Sequence, residues 1–418
     1  MAQATHAAFN APVDDADIDE MPAGARIFTG GGAPDIRISI HRDLADAERE
    51  WRAFEQTADC TVFQSYEWLS AWQRNIGART GVVPAIVMGR DGGGALLFIA
   101  PLAIEPRGFV RELTWLGSDL CDYNSPLLAP EFSRLIGAAR FMPVWREIVT
   151  TLGRDPVLRH DVVRFTKMPA KIGSQDNPFL ALGAGTNPSG AYLTKLAGDW
   201  ETFYNEKRSG PTRRRDRTKR KKLGEFGEVR FVNPQAGEIG STLETLFVQK
   251  AASFAHMGVA NLFAKPGHSE FYREIAADPA MREMVHISRL DVGDVQAAIN
   301  LGLIFHGCYY HVLASYDAGE VSKYGPGAAH LHDLMAYAIE KKCNVFDFTI
   351  GDERYKRDWS DTELTLFDHV SAATLRGWPV VLMSSGFSKL KRFIKQTPVL
   401  WDAFQKARAF AASLKPKS

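Results

Sequence analysis

The side chains best placed to move a proton crowd into one short stretch of this chain. From Cys343 to Lys356 it reads CNVFDFTIGDERYK, with Asp347 alone in an apolar run and Asp352, Glu353, Tyr355 and Lys356 gathered behind Gly351. A single acid inside an apolar strand is either a buried hydrogen-bond partner or a base whose pKa desolvation has raised. Glu353–Arg354 and Asp352–Lys356 read equally well as surface pairs. His311, in Tyr309-Tyr310-His311, and His330 are further candidate bases. Each is, taken alone, as consistent with a structural role. Cys308 and Cys343 sit in apolar runs and read as core thiols rather than nucleophiles.

A second chemical feature lies upstream. Tyr324-Gly325-Pro326-Gly327 is a tight turn, flanked by Lys323 and Ala328 and followed at once by a helical pattern of Leu331, Leu334, Met335, Ala338 and Ile339. A glycine turn feeding a helix leaves backbone N–H groups at the positive helix end, where a phosphate can sit. The stretch therefore reads as a nucleotide or coenzyme pyrophosphate seat lined by Lys323, Tyr324, Gly325, Gly327 and Ala328, or as an ordinary strand-turn-helix connection. Lys207 to Gly224 is densely basic, with Pro211 suited to a helix start and Gly224 to its end. The cations of 213–222 there, Arg213 and Arg214 first among them, are candidate phosphate partners with Lys323 and Lys356. The alternatives are a solvated basic helix, or a seat for an acidic acceptor or lipid headgroups.

These features need a framework. The 418 residues favour two or three domains, and 45% hydrophobic with 24% charged residues is ordinarily globular. A net charge of +1 and the lack of aromatics interleaved with the basic run argue against nucleic acid as a partner. The four scattered cysteines support neither a disulfide framework nor a metal site, and a cytoplasmic setting fits them.

Residues 1–35 read as a disordered leader. Residues 36–185 read as an N-terminal lobe: a strand at Ile36–Ile40, an aromatic helix around Phe63–Trp72, a hairpin of Val82–Met88 and Ala95–Leu102 about Asp91–Gly94, a helix over Phe132–Leu152 and a strand at Asp161–Phe165. Lys171–Gly190 has linker composition. Residues 190–372 read as a C-terminal lobe with helices near Thr242–Ala255 and Phe271–Ala276. Strands follow at Val285–Leu290, Ala297–Phe305, Cys308–Ser315 and Cys343–Ile350, and an edge strand at Asp361–Val370. Residues 373–418 form a basic tail with apolar stripes, suited either to packing or to lying on an anionic membrane. The halves echo one another. Tyr123-Asn124-Ser125-Pro126 matches the place of Tyr324–Gly327, and Val162–Thr166 that of Val345–Thr349, with Arg164 where Asp347 would be.

Three antiparallel strands, a glycine turn, a helix and a strand resemble the core order of the GNAT acyltransferase fold. The residues Gly325-Pro326-Gly327 and Phe346-Asp347…Gly351…Tyr355-Lys356…Trp359 are similar to the [SG]-P-G turn and F-D-x-x-x-G-x-x-x-Y-K-x-x-W segment of the CelD/BcsL-type acetyltransferase-domain family. The basic stretch ending Leu223–Val229, and Phe63–Trp68 with Pro101-Leu102, also resemble it. This implies an α/β (α+β) fold of tandem GNAT-like lobes, mainly antiparallel mixed sheets flanked by helices, distantly similar to the FemABX aminoacyltransferases. It implies no permanently bound cofactor but acyl-CoA or acetyl-CoA as co-substrate, or an acyl-carrier protein. The acceptor is then an amine, of a cell-envelope polysaccharide or lipid-like. An amine must lose a proton before attacking a thioester, so Asp347, Asp352, Glu353, His311 or His330 is expected as base and Tyr355 as acid. The classical R/Q-x-x-G-x-G/A loop is absent, and no segment is long enough for the helical-hairpin arm of FemABX proteins. The alternative is a catalytically silent binding module in envelope assembly.

Overall fold

The computed structural model describes residues 26–28 and 36–384. Apart from Arg26–Phe28, the expected leader lies outside the described residues, as does the basic tail from residue 385.

The N-terminal sheet begins with β1 (Arg26–Phe28), β2 (Ile36–His41), β3 (Val83–Arg90), β4 (Leu96–Arg107) and β5 (Val110–Trp115), each antiparallel to the one before. Alternation buries Ile36 and Ile38. The expected hairpin joins β3 to β4, with Asp91 accepting from the Ala95 N–H at 2.8 Å. Helices α1 (Glu48–Glu55) and α2 (Tyr66–Trp72) cross one face. The helix expected over Phe132–Leu152 is broken at Ile136, because Gly137 takes φ +57. It resumes as α3 (Gly137–Arg154), whose Phe141, Trp145, Ile148 and Leu152 recur at three- and four-residue steps and pack on the sheet's other face. Strand β6 (Val162–Pro169) then runs parallel to β5.

The segment of linker composition is ordered. Phe179 is fully buried, with its ring 4.7 Å from that of Trp115 and 5.0 Å from that of Phe141. Burial of one such ring is worth about 2–3 kcal/mol, enough to hold the segment against the lobe.

The C-terminal sheet repeats the pattern. After β7 (Ala191–Lys195), α4 (Trp200–Lys207) and the basic α5 (Gly210–Leu223) comes β8 (Val229–Val232). Helices α6 (Ala236–His256) and α7 (His268–Ala277) precede β9 (Val285–Val292), β10 (Val295–Phe305) and β11 (Cys308–Tyr316). The meander β8 to β11 is antiparallel. Helix α8 (Pro326–Glu340) returns the chain, and β12 (Val345–Ile350) pairs parallel to β11. A short helix α9 (Arg354–Trp359) follows.

The expected edge strand over Asp361–Val370 is two strands in two sheets. β13 (Thr362–Leu364) pairs with β7 at the edge of the C-terminal sheet. β14 (Leu366–Ala372) crosses to the N-terminal sheet and pairs antiparallel with β6. In the same way β7, reached before the C-terminal meander, pairs antiparallel with β12.

The layers run α3, N-terminal sheet, central helices, C-terminal sheet, α8. One apolar cluster spans the middle, joining Phe63, Trp68 and Trp72 of the first half to Phe271, Leu301 and Tyr310 of the second. Trp68 and Phe271 meet edge to face at 4.8 Å, as do Phe63 and Tyr310 at 5.8 Å. Among the described residues no helix is long and apolar enough to cross a membrane, and no group of three His, Cys, Asp or Glu could hold a metal ion.

Candidate active site

Parallel pairing between β11 and β12 ends at Tyr310 and Asp347. Beyond that rung β11 stays with β10 to Tyr316, while β12 stays with β7 to Ile350. The two strands therefore splay, and Asp347 stands at the apex. A bulge sharpens the divergence: His311 and Val312 together oppose Gly302 of β10. Gly302 is required there, since a Cβ would lie 2.4 Å from the Tyr309 hydroxyl. From His311 onward the flank of β11 that faced β12 has no strand partner among the described residues. Six strand steps lead from Tyr310 to Tyr316, roughly 20 Å of backbone edge.

Asp347 is buried, and its Oδ1 accepts two hydrogen bonds of 2.7 Å. One comes from the Thr349 backbone N–H. The other comes from the hydroxyl of Tyr123, from the opposite lobe. Its Oδ2 accepts none among the described residues. Burial raises its pKa to about 7, against the lowering by the Tyr123 and Thr349 bonds, with Asp122 raising it further and Lys356 lowering it. Burial and the adjoining carboxylate hold the Tyr123 phenol well above its usual range. Half-buried Asp122, beside Lys167 and Thr349, is likewise raised, chiefly by burial. Thr349 takes φ +60, a costly conformation for a β-branched residue, and its N–H thereby turns back onto Asp347.

Lys356 acts on this acid from nearby, while His311 and Tyr355 pack against Phe346 and Phe348, which alternate with Asp347 along β12, and Lys250 lies near His311. Burial, with Lys356 and Lys250 nearby, lowers His311 to about 3, so its ring is neutral at ordinary pH. Tyr355 meets His311 edge-on at 6.5 Å, and burial raises its phenol. Buried Lys356 donates to the Ile350 carbonyl at 2.7 Å and lies 3.3 Å from Glu353. Asp352 lies 4.0 Å from Arg357. His330 is buried under β9 and bonded to Ser288 at 3.0 Å.

The phosphate-seat residues divide. A cleft of about 340 Å³ opens where α5 crosses the start of α8, lined by Tyr324, Gly325 and Ala328, among others. Gly325 caps α8 at φ +69, which only glycine adopts without strain. Gly327 instead faces Tyr316, and Lys323 lies over the rings of Tyr324 and Phe226. Arg213, Arg214 and Lys356 do not line the cleft. The cations that do are Arg217, Lys219 and Arg220, one turn further along α5.

Sequence reasoning missed Tyr123 and Asp122, because nothing local says that a loop 224 residues away in the chain touches Asp347. It also missed Trp200 and Tyr204, which line the cleft from α4.

Residues 211–357 match the acetyltransferase (GNAT) domain family. The C-terminal lobe carries a GNAT domain. That span contains α5, the cleft's α8 face and the whole splay, but neither α4 nor the N-terminal lobe. No curated protein sequence matches the chain. Among solved structures, FemX superposes with a TM-score of 0.55 at 10% identity, over 83% of this chain and 99% of that one. A conserved protein of unknown function from Bacteroides thetaiotaomicron VPI-5482 gives 0.51 at 12% identity, over 81% and 100%. A tandem GNAT protein from the clavulanic acid biosynthesis pathway gives 0.44 at 10% identity, over 81% and 99%. The likeness to FemX and to the Bacteroides protein is one of fold, of mixed α/β sheets flanked by helices.

Proposed function

We propose that the chain is an N-acyltransferase moving an acyl group from an acyl-CoA or acyl-carrier thioester to an amine acceptor. The observation that carries this reading is Asp347 at the apex of the splay, its Oδ2 open and its pKa near 7. The pyrophosphate sits at Gly325, and the pantetheine arm follows the open flank of β11 toward Asp347, its amides bonding the backbone edge. The acceptor approaches from the N-terminal lobe, past Asp122 and Tyr123.

The amine nitrogen attacks the thioester carbonyl carbon and a C–N bond forms. The nitrogen's proton passes to Asp347 Oδ2. The C–S bond then breaks, and the leaving thiolate carries off the electron pair while Tyr355 donates a hydrogen bond to it. A neutral His311 serves as a wall, because a group lowered to about 3 is too weak a base. Asp352 and Glu353 lie outside the step. Tyr123 positions the carboxylate and supplies the acceptor's wall.

The finer resemblance to CelD/BcsL-type proteins, carried by the F-D…G…Y-K…W segment, belongs to the same proposal. So do an envelope-polysaccharide or lipid-like amine as acceptor and a cytoplasmic, membrane-peripheral setting reached through the basic tail.

The test is thiol release from acetyl- and longer acyl-CoA in the presence of amino sugars and long-chain amines. Acceptor-dependent release, with acyl-CoA raising the melting temperature, is expected. A chain that neither releases thiol nor gains thermal stability with any acyl thioester would overturn the reading.

A further inference from the structure

After β14 the chain makes a turn at Leu375–Gly377 and continues as a helix over 378–384, where the described residues end. Asp161, just before β6, pins the start of this segment. Its carbonyl accepts from the N–H groups of Ala373 and Thr374 at 2.8 and 3.2 Å, and its Oδ1 from the Thr374 hydroxyl at 2.7 Å. Gly377 packs so closely there that a Cβ would lie 2.1 Å from the Asp161 carbonyl oxygen. At the other end Ser384 takes a bond from Arg164 at 2.9 Å. The side turned to the lobe is Gly377, Val380, Val381 and Ser384, buried or half-buried. The side turned out is Leu375, Trp378, Pro379, Leu382 and Met383, at the same three- and four-residue steps.

Both sides are therefore largely apolar, yet the outer one is bare. Its large side chains run from 54% exposed at Trp378 to 86% at Leu375, and pinning at both ends keeps the segment from rolling them inward. Phe109, in the β4–β5 turn, adjoins them, since its carbonyl accepts from Arg376 at 2.6 Å, and its ring is exposed as well. A contiguous exposed apolar surface of this kind marks a contact. The charge around it is positive. Arg376 and Arg111 give their guanidinium groups to the backbone carbonyls of Phe109 and Pro156 rather than to carboxylates. The carboxylates alongside are engaged, Glu105 with Arg107 at 2.8 Å and Asp155 with the Val157 N–H at 2.7 Å. In the sequence from residue 385 on, eight Lys and Arg stand against a single acid, Asp402, and the apolar spacing continues through Phe387, Leu390, Phe393 and Ile394.

We propose that this surface docks on an anionic lipid bilayer, with Phe109, Leu375, Trp378, Leu382 and Met383 entering the headgroup boundary while Arg111, Arg376 and the basic residues that follow meet lipid phosphates. This rests on the membrane-peripheral setting proposed above and deepens it: the contact is built on the folded N-terminal lobe as well as on the tail, so the lobe meets the membrane in one orientation. Charge chooses among the possible occupants. A second copy seated on the same face would set Arg376 and Arg111 against their counterparts, and the basic tail folded back on it would add cations to cations. An anionic surface answers both the apolar side chains and the excess positive charge. Trp378 suits it further, since an indole favours the boundary between headgroup and hydrocarbon.

The experiment is co-sedimentation of the full chain with vesicles of phosphatidylcholine, alone or mixed equally with phosphatidylglycerol, repeated on the double variant Trp378→Ser with Leu382→Ser and on Arg376→Gln. The native chain is expected to bind the mixed vesicles about tenfold more tightly than phosphatidylcholine alone. The double variant, changed only on the outward side, should melt as the native chain does and lose about tenfold in vesicle affinity although its basic tail is intact. Arg376→Gln should lose about fivefold at low salt and nothing at high salt. Equal binding by the native chain and the double variant overturns the docking surface and leaves a membrane-peripheral setting carried by the tail alone. A native dimer, read by light scattering without vesicles, that becomes monomeric in the double variant gives the face to a second copy and overturns it too. No binding of the native chain to either vesicle overturns both the docking surface and the membrane-peripheral setting, and leaves the acyltransfer reading standing.

Discussion

Arg164 and Asp347 occupy the same rung of two repeated sheets. In each lobe four antiparallel strands (β2 to β5 and β8 to β11), a helix and a parallel strand follow in order, and the parallel pairing starts at Val162 in one and Val345 in the other. Two residues on stand Arg164 and Asp347. The first is closed by a bidentate pair to buried Glu112, at 2.9 and 3.0 Å, and by Ser384. The second keeps one oxygen open. Both strands also bulge just beyond, with Lys167 at φ +56 and Thr349 at φ +60. One framework has thus been neutralised by an ion pair and the other left chemically poised. The turns diverge as well. Where Gly325 opens the cleft, the first lobe has the Tyr123 loop, which reaches across to Asp347. The comparison teaches that the two equivalent positions have opposite fates, one closed by an ion pair within its lobe and one held by a hydroxyl from the other lobe.

The largest expected effect that would break this comparison is at Asp347. Asp347→Asn should lower kcat/KM about 10³-fold, within the range for loss of a general base. The native profile should rise as pH passes through about 7, where the carboxylate loses its proton, and the variant's should not. Stability should move oppositely. Because the folded carboxyl is raised, the fold holds its proton more tightly than the unfolded chain. Its contribution is full below the unfolded carboxyl pKa and is lost as pH rises toward 7. Asp347→Asn should therefore melt higher than the native chain at pH 8 and equally at pH 4. A variant with native activity would reduce Asp347 to a structural acid like Glu112.

Gly325→Val comes next, since it forces a β-branched residue to positive φ beside Lys219. The KM for acyl-CoA should rise about 10²-fold with little change in kcat, equivalent to about 2.7 kcal/mol. A proportional fall in kcat would show that the turn does more than seat phosphate. Tyr123→Phe should cost about tenfold in kcat/KM. Its more telling result is the pH profile, which should move to higher pH because a bond that lowers the Asp347 pKa is gone. An unmoved profile would separate the lobes functionally. Smallest in activity is Arg164→Leu. Turnover should stay within a factor of two, while chemical denaturation shows a loss of up to about 3 kcal/mol from leaving Glu112 buried and unpaired.

Much of the fold was legible in the sequence. The Asp91–Gly94 hairpin, the meander from Val285 to Ser315 and the helix after Pro326 follow local rules of alternation and turn chemistry. The internal echo was legible too, down to Arg164 against Asp347. Strand partnership was not. β7 and β14 are short, and alternation states which face is buried but not which sheet receives it. The site was half legible for the same reason. Asp347 and Gly325 announce themselves by composition, whereas Tyr123 acts only through a contact that the central apolar cluster creates. On α5 every turn carries cations, so the sequence offers the whole run 213–222, and only the packing of α8 selects Arg217, Lys219 and Arg220 as the ones that line the cleft.

The crossing of β14 carries a cost that is paid during synthesis. Arg164 of β6 must wait for Val370 as its partner, roughly 200 residues later, or about 10–40 s at ordinary elongation rates. Through that interval one flank of a largely apolar strand is exposed on the nascent chain, open to pairing with a neighbouring copy on the same message. Yield from an expressing cell should therefore depend on how promptly the last strand emerges, and a chain truncated before Leu366 should aggregate even though every residue of its first meander is present.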